Sequence, residues 1–124
     1  MYVLGKTSLK RLQGVHPDLI AVVKRAIEIT SVDFTVLEGL RSVERQRELF
    51  NKGASKTMAS RHITGHAVDL APWPIDWDDL SRFKQVASAV KEASEELGIP
   101  VLWGGDWRTF YDGPHFELDR KVYR

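Results

Sequence analysis

Apolar residues recur at helical spacing in two stretches of the chain and alternate with polar ones in several shorter runs. After His16, Pro17 suits the first position of a helix, Asp18 suits its positive end, and Leu19, Ile20, Val23, Ala26 and Ile27 share one face. This predicts a helix over 17–30. A second stripe, Leu80, Phe83, Val86, Ala87, Val90, Ala93 and Leu97, starts near Asp78 or Asp79 and stops before Gly98, which predicts a core helix over 78–97. Phe34 to Glu38 is β-prone and ends at Gly39, after which Ser42 caps a third helix with Glu44 in its first turn and Gly53 past its end. Arg41 therefore falls in a strand-to-helix turn. Residues 53–66 carry no periodicity and read as loop, and short strands are expected at 67–71, 101–103 and 114–118. Two to three helices with about four strands, not in strict alternation, predict an α+β fold with a mainly antiparallel or mixed sheet, in one domain over 1–124.

Composition narrows what such a domain does. Eighteen Lys and Arg nearly cancel 17 Asp and Glu, and a net charge of +1 supplies no global field for a polyanion, so no nucleic acid is expected as partner. The absence of cysteine removes disulfides, thiolate metal sites and cysteine nucleophiles together, so a metal would have to use His, Asp or Glu. No apolar run approaches the roughly 20 residues that span a bilayer, and the N-terminal residues have no continuous hydrophobic segment of the secretory kind. No stable membrane association is expected, and the chain is expected to stay in the cytoplasm on synthesis.

Two segments carry candidate chemistry. In Ser60-Arg-His62-Ile-Thr-Gly65-His66-Ala-Val-Asp69-Leu-Ala-Pro72, a strand places Val68 and Leu70 on one side and Asp69 on the other. A buried carboxylate needs a partner: an Arg, a backbone donor, or a metal to which His62 could add a second ligand. By the same parity His66 lies opposite Asp69 and is the poorer ligand. In Asp112-Gly-Pro-His115-Phe-Glu117-Leu118, His115 and Glu117 alternate with apolar residues, and Asp112 stands three residues before His115. Two His and one Asp make a zinc set with room for water in the fourth position, and a neighbouring carboxylate could take that water's proton. Arg41 is the natural cation for an oxyanion or a substrate carboxylate. On spacing and polarity alone the alternatives stay open: Asp69 could merely pair with Arg41 or Arg61, and Asp112 could merely shape the turn before Pro114. Trp73, Trp77, Trp103 and Trp107 are read as buried core and cleft wall rather than a sugar-stacking platform. The charged run from Arg41 to Glu48 is read as mostly a solvated helix face.

The spacing Ser60-x-His62-x-x-Gly65-x-Ala67-x-Asp69 followed by Asp112-x-x-His115 resembles the paired signature of the zinc peptidases that include D-Ala-D-Ala dipeptidases, D-alanyl-D-alanine carboxypeptidases and phage L-alanyl-D-glutamate endolysins. The likeness extends through Glu38-Gly-Leu-Arg41-Ser with Gln46 and Leu49, Gly53-Ala-Ser-Lys-Thr57 and Trp103-Gly-Gly-Asp-Trp107, and is greatest to small phage and prophage endolysins. The resemblance implies one zinc per chain held by His62, Asp69 and His115, with Asp112 as base and Arg41 as the cation serving substrate or oxyanion. Ser60 and Gln46 match positions near the substrate cleft. Where many members have Glu in Glu-x-x-His this chain has Asp112, one methylene shorter. The implied fold is that shared with the signalling domain of hedgehog proteins, which also occurs with zinc but without peptidase activity.

The expected activity is hydrolysis of the L-Ala-D-Glu bond of peptidoglycan stem peptides by a monomer that acts in the periplasm and wall after the membrane is permeabilised. A D,D-carboxypeptidase, a D,D-dipeptidase and a noncatalytic zinc or wall-binding module are the alternatives. Short loops, with about 13 residues between the Arg41 helix and Ala67, favour an open groove and internal cleavage over a closed exopeptidase cleft.

Overall fold

The computed structural model describes residues 1–124. Its elements in chain order are α1 (Lys6–Arg11), α2 (Pro17–Ile29), β1 (Phe34–Glu38), α3 (Val43–Asn51), β2 (Ala67–Pro72), α4 (Leu80–Leu97), β3 (Val101–Trp103), a 3₁₀ turn (Gly104–Asp106) and β4 (His115–Leu118). The four strands form one antiparallel sheet in the order β1-β2-β4-β3. The fold is therefore α+β, with α2 and α4 packed on each other and α4 lying against β2 and β3.

Local chemistry sets the element boundaries. Pro17 opens α2 while the His16 ring accepts from the Asp18 amide at 3.0 Å. Ser42 caps α3 by accepting from the Arg45 amide at 3.0 Å. Asp79 caps α4, which consequently starts at Leu80 rather than at 78, and Gly98 ends it in the left-handed conformation. Helix α1 adds a helix to the two or three expected. It lacks an apolar stripe, and its position comes from tertiary contacts: Ser8 is buried and its hydroxyl accepts from the Val36 amide at 3.0 Å.

Strand alternation divides the sheet into two chemically distinct faces. Val36, Val68, Leu70, Phe116 and Leu118 belong to the buried apolar core formed with α2 and α4. On the other face the register sets Asp69 opposite His115 and Ala67 opposite Glu117, so the polar residues of the two central strands are neighbours. The β1–β2 register shifts between Val36 and Glu38, which brings Glu38 rather than Leu37 opposite Asp69. The carboxylate of Glu38 thus reaches the polar face from the sheet edge.

Two of the four tryptophans differ from expectation. Trp103 is buried and stacks on Phe116, but Trp73 and Trp77 are exposed at 55% and 57%. The Pro72-Trp73-Pro74 segment leaves the sheet before α4 begins, so these two indoles have no layer above them; Trp77 lies flat against Phe83 on its inner side only.

Candidate active site

Three side chains from distant parts of the chain converge on the polar face of the sheet. Asp69 and His115 come from facing positions of β2 and β4. His62 arrives from the turn before β2, where Ser60 Oγ accepts from the His62 amide at 3.2 Å and the His62 carbonyl accepts from the Arg41 amide at 3.0 Å. One nitrogen of each ring and one Asp69 oxygen lie within 4.8 Å of one another. His66 is outside this cluster, as strand parity requires; its ring is hydrogen-bonded to Thr64 instead.

The outer nitrogen of each imidazole is already engaged, and this fixes what the inner nitrogen offers. His62 Nδ1 is 2.9 Å from the Gly39 carbonyl, which only accepts, so Nδ1 carries a proton and Nε2 is the nitrogen left to face Asp69 Oδ1, at 3.2 Å. Gly39 reaches that position because it has no side chain: a Cβ there would lie 2.2 Å from the Arg11 carbonyl oxygen. His115 Nε2 is 2.9 Å from Glu117 Oε1, leaving Nδ1 toward Asp69 Oδ1 at 3.4 Å. Two imidazole nitrogens and a carboxylate oxygen aimed at one point form a cavity for a cation, and the donor set suits a divalent metal of the zinc type. In the metal-free protein a proton takes that place: burial lowers the His115 pKa, but hydrogen bonds to Asp69 and Glu117 outweigh it and raise it to about 9. Burial likewise works against the Asp69 carboxylate, yet the His115 and His62 hydrogen bonds and charges hold its pKa well below the usual range.

Asp112 stands beside the cluster on the loop before β4. Its amide donates to the Gly104 carbonyl at 3.1 Å and its carbonyl accepts from the His115 amide at 3.1 Å. A Cβ at Gly104 would lie 2.4 Å from the Asp112 carbonyl oxygen, so the close approach that seats this loop needs glycine. Burial, and secondarily the charge of Asp69, push the Asp112 pKa up, against the opposing pull of His115, His62 and Arg41. A carboxyl shifted upward is better matched to proton transfer near neutrality than an ordinary one.

Arg41 occupies the other side. Its guanidinium pairs with Glu38, approaches Asp69 at 3.7 Å and donates to Gln46 Oε1 at 2.8 Å and, more weakly, to Ser60 Oγ at 3.5 Å. Ser60 lines the cavity, whereas Gln46 is fully buried behind Arg41 and does not. Gln46, expected near the substrate cleft, thus acts from behind it: α3 is polar on most sides, and tertiary structure turns this one amide inward.

These groups line an open cavity of about 450 Å³ whose walls include Trp107 and Phe110 from the loop before Asp112 and residues 54–57 from the loop after α3. Trp107 lies against the His115 ring, with centroids 5.0 Å apart. Glu117 was expected only as a polar neighbour of His115; its 3% exposure and its contacts to His115, Arg61 and Arg120 make it the buried support of that ring.

Comparison with known proteins gives the chain its relatives. The chain is 39% identical to the L-alanyl-D-glutamate peptidase of Escherichia phage T5, over 94% of this chain and 98% of that protein. It is 33% identical to the peptidoglycan L-alanyl-D-glutamate endopeptidase CwlK of Bacillus subtilis, over 77% of this chain and 66% of that protein. The crystal structure of the L-Ala D-Glu endopeptidase ChiX of Serratia marcescens superposes with a TM-score of 0.91 and 46% identity, covering 98% of this chain and 93% of that one. The profile of the family described as phage L-alanyl-D-glutamate peptidase matches residues 1–119, and the chain belongs to that family.

Proposed function

We propose that the protein is a zinc-dependent endopeptidase that hydrolyses the L-alanyl-D-glutamyl bond of peptidoglycan stem peptides, working as a single-domain monomer over residues 1–124. The observation that carries this reading is the convergence of His62, Asp69 and His115 on the floor of an open cavity flanked by Asp112 and Arg41, in a chain of this family. His62 Nε2, His115 Nδ1 and an Asp69 oxygen would hold the ion. Zinc bound there supplies Lewis acidity toward water and the scissile carbonyl.

The chain's own residues do the rest. Asp112, anchored by Gly104, takes the proton of the attacking water and returns it to the leaving amine. Arg41, fixed by Glu38 and Gln46, brings positive charge to the oxygen on which negative charge develops. Ser60 holds the His62 turn and lines the substrate side of the cavity, and Gln46 acts through Arg41. Trp107 shields one side of His115 from water. No helix is long and apolar enough to cross a membrane. By likeness to the phage relatives, we place synthesis in the host cytoplasm and action at the wall after the membrane is breached.

Digestion of purified Gram-negative muropeptides tests the reading. Release of the stem peptide from L-Ala, with a new D-Glu amino terminus identified by mass spectrometry, is expected. Release of free D-Ala from pentapeptide stems as the only product would replace it with a D,D-carboxypeptidase.

A further inference from the structure

Four basic side chains line the cavity, and three of them are already committed. Arg41 is held by Glu38, Gln46 and Asp69. Arg61 donates to the carbonyls of Leu118 and Tyr123 at 3.1 and 2.8 Å, and Arg120 donates to Glu117 at 3.2 Å. Lys56 has neither a carboxylate nor a hydrogen-bond acceptor; its ammonium sits 5.1 Å from the centroid of the Phe110 ring, which also lines the cavity. A ring face holds an ammonium without neutralising it, so the full charge stays available.

The backbone that carries Lys56 is fixed close to the reacting centre even though its side chain is exposed. Gln46, which accepts from Arg41, donates on its other side to Ser55 Oγ at 2.8 Å and to the Thr57 carbonyl. The residues before and after Lys56 are therefore braced against the same buried amide that positions Arg41, and Arg41 lies 3.7 Å from Asp69.

The substrate class supplies a matching anion. When alanine acylates the amino group of glutamate, the glutamyl residue brings two carboxyl groups, and the peptide continues through only one. The other is a free carboxylate next to the scissile bond unless it has been amidated. We propose that Lys56 is the counter-ion of this free glutamyl carboxylate and gives the enzyme a preference for stem peptides in which it is not amidated. The inference rests on the L-alanyl-D-glutamyl reading above and adds to it the determinant on the leaving side.

Three synthetic substrates test it, each an N-acyl-L-Ala-D-glutamyl peptide continued through the γ-carboxyl. The first keeps the α-carboxylate, the second has an α-carboxamide, and the third has the α-carboxamide with a free carboxylate on the following residue. Wild-type enzyme is expected to cut the first with kcat/KM about tenfold above the second and third, the difference lying in KM, as for a contact made equally in ground and transition states. Lys56→Gln brings the ratio of first to second to about one, and Lys56→Arg restores it. A ratio near one in the wild type, or one that survives Lys56→Gln, overturns the assignment while leaving the activity standing. Efficient cleavage of the third substrate moves the recognised carboxylate to the next residue and overturns it equally. Wild-type enzyme that cuts none of the three overturns both the assignment and the activity beneath it.

Discussion

His115 donates from Nε2 to Glu117 at 2.9 Å, and the second oxygen of Glu117 is turned to Arg120 at 3.2 Å and Arg61 at 3.8 Å. Burial would raise the Glu117 carboxyl, but His115 and Arg120 outweigh it and keep its pKa below the ordinary range. A carboxylate so held fixes the tautomer and the orientation of the ring in front of it. Glu117→Gln keeps the shape and loses the charge, and it should weaken zinc binding about 10- to 100-fold, read by competition with a chromogenic chelator. Unchanged affinity would reduce Glu117 to a folding role.

Replacing His62 or His115 by Ala should abolish stoichiometric zinc in the dialysed protein, measured by elemental analysis. Chelator treatment of the unsubstituted enzyme should stop turnover, and added zinc should restore it. Retention of one zinc by both variants would refute this ligand set.

Asp112→Ala should leave the zinc content and the circular dichroism spectrum intact while turnover falls by about 10²- to 10⁴-fold, the usual worth of a positioned acid–base group. Near-normal turnover would shift the base away from Asp112, and not to Glu117, whose oxygens are engaged by His115, Arg120 and Arg61.

Metal and proton compete for His115. With its pKa raised from 6.5 to about 9 in the metal-free protein, His115 is protonated at neutral pH and must lose that proton to bind an ion. Zinc binding at pH 7 should release about one proton, measured by calorimetry in buffers of different ionisation enthalpy, and affinity should rise toward pH 9. The sign for folding is opposite. A raised pKa stabilises the metal-free fold fully below pH 6.5, and this contribution is lost as pH rises through about 9, so the apoprotein should melt at lower temperature at pH 9.5 than at pH 6.

Gln46→Ala removes a buried amide that ties Arg41 to the 55–57 segment. It should cost about 1–3 kcal/mol of stability, the usual penalty when buried partners are left unpaired, and should lower kcat/KM without loss of zinc. A silent substitution would mean that Glu38, Asp69 and Ser60 suffice to hold Arg41.

Most of the frame was legible where the determinants are local. The Pro17 and Ser42 helix starts, the Gly98 stop and the alternation around Asp69 each depend on a few adjacent residues, and the observed elements begin or end within about two residues of those signals. What the sequence leaves unstated is long-range. Helix α1 has no stripe because sheet contacts, through Ser8, hold it. Gln46 was marked by the family pattern as near the cleft, but its place behind Arg41 is set by the loop that folds over it. The β1 irregularity that brings Glu38 to Asp69 has no signature in Phe-Thr-Val-Leu-Glu. The three candidate ligands were recognisable by a family pattern, but their meeting point depends on a β2–β4 register that no local rule supplies.

Arg61, the neighbour of His62, is clasped to the carbonyls of Leu118 and Tyr123, and the Tyr123 hydroxyl reaches Asp18 at the start of α2 at 2.6 Å. The C-terminal residues thus form a strap buckled at one end to the turn that presents His62 and at the other to a core helix. This gives the molecule a mechanical polarity for engineering. A fusion after Arg124 that tugs Tyr123 loose would slacken the turn carrying a candidate ligand, whereas Met1, 94% exposed, takes no part in those hydrogen bonds.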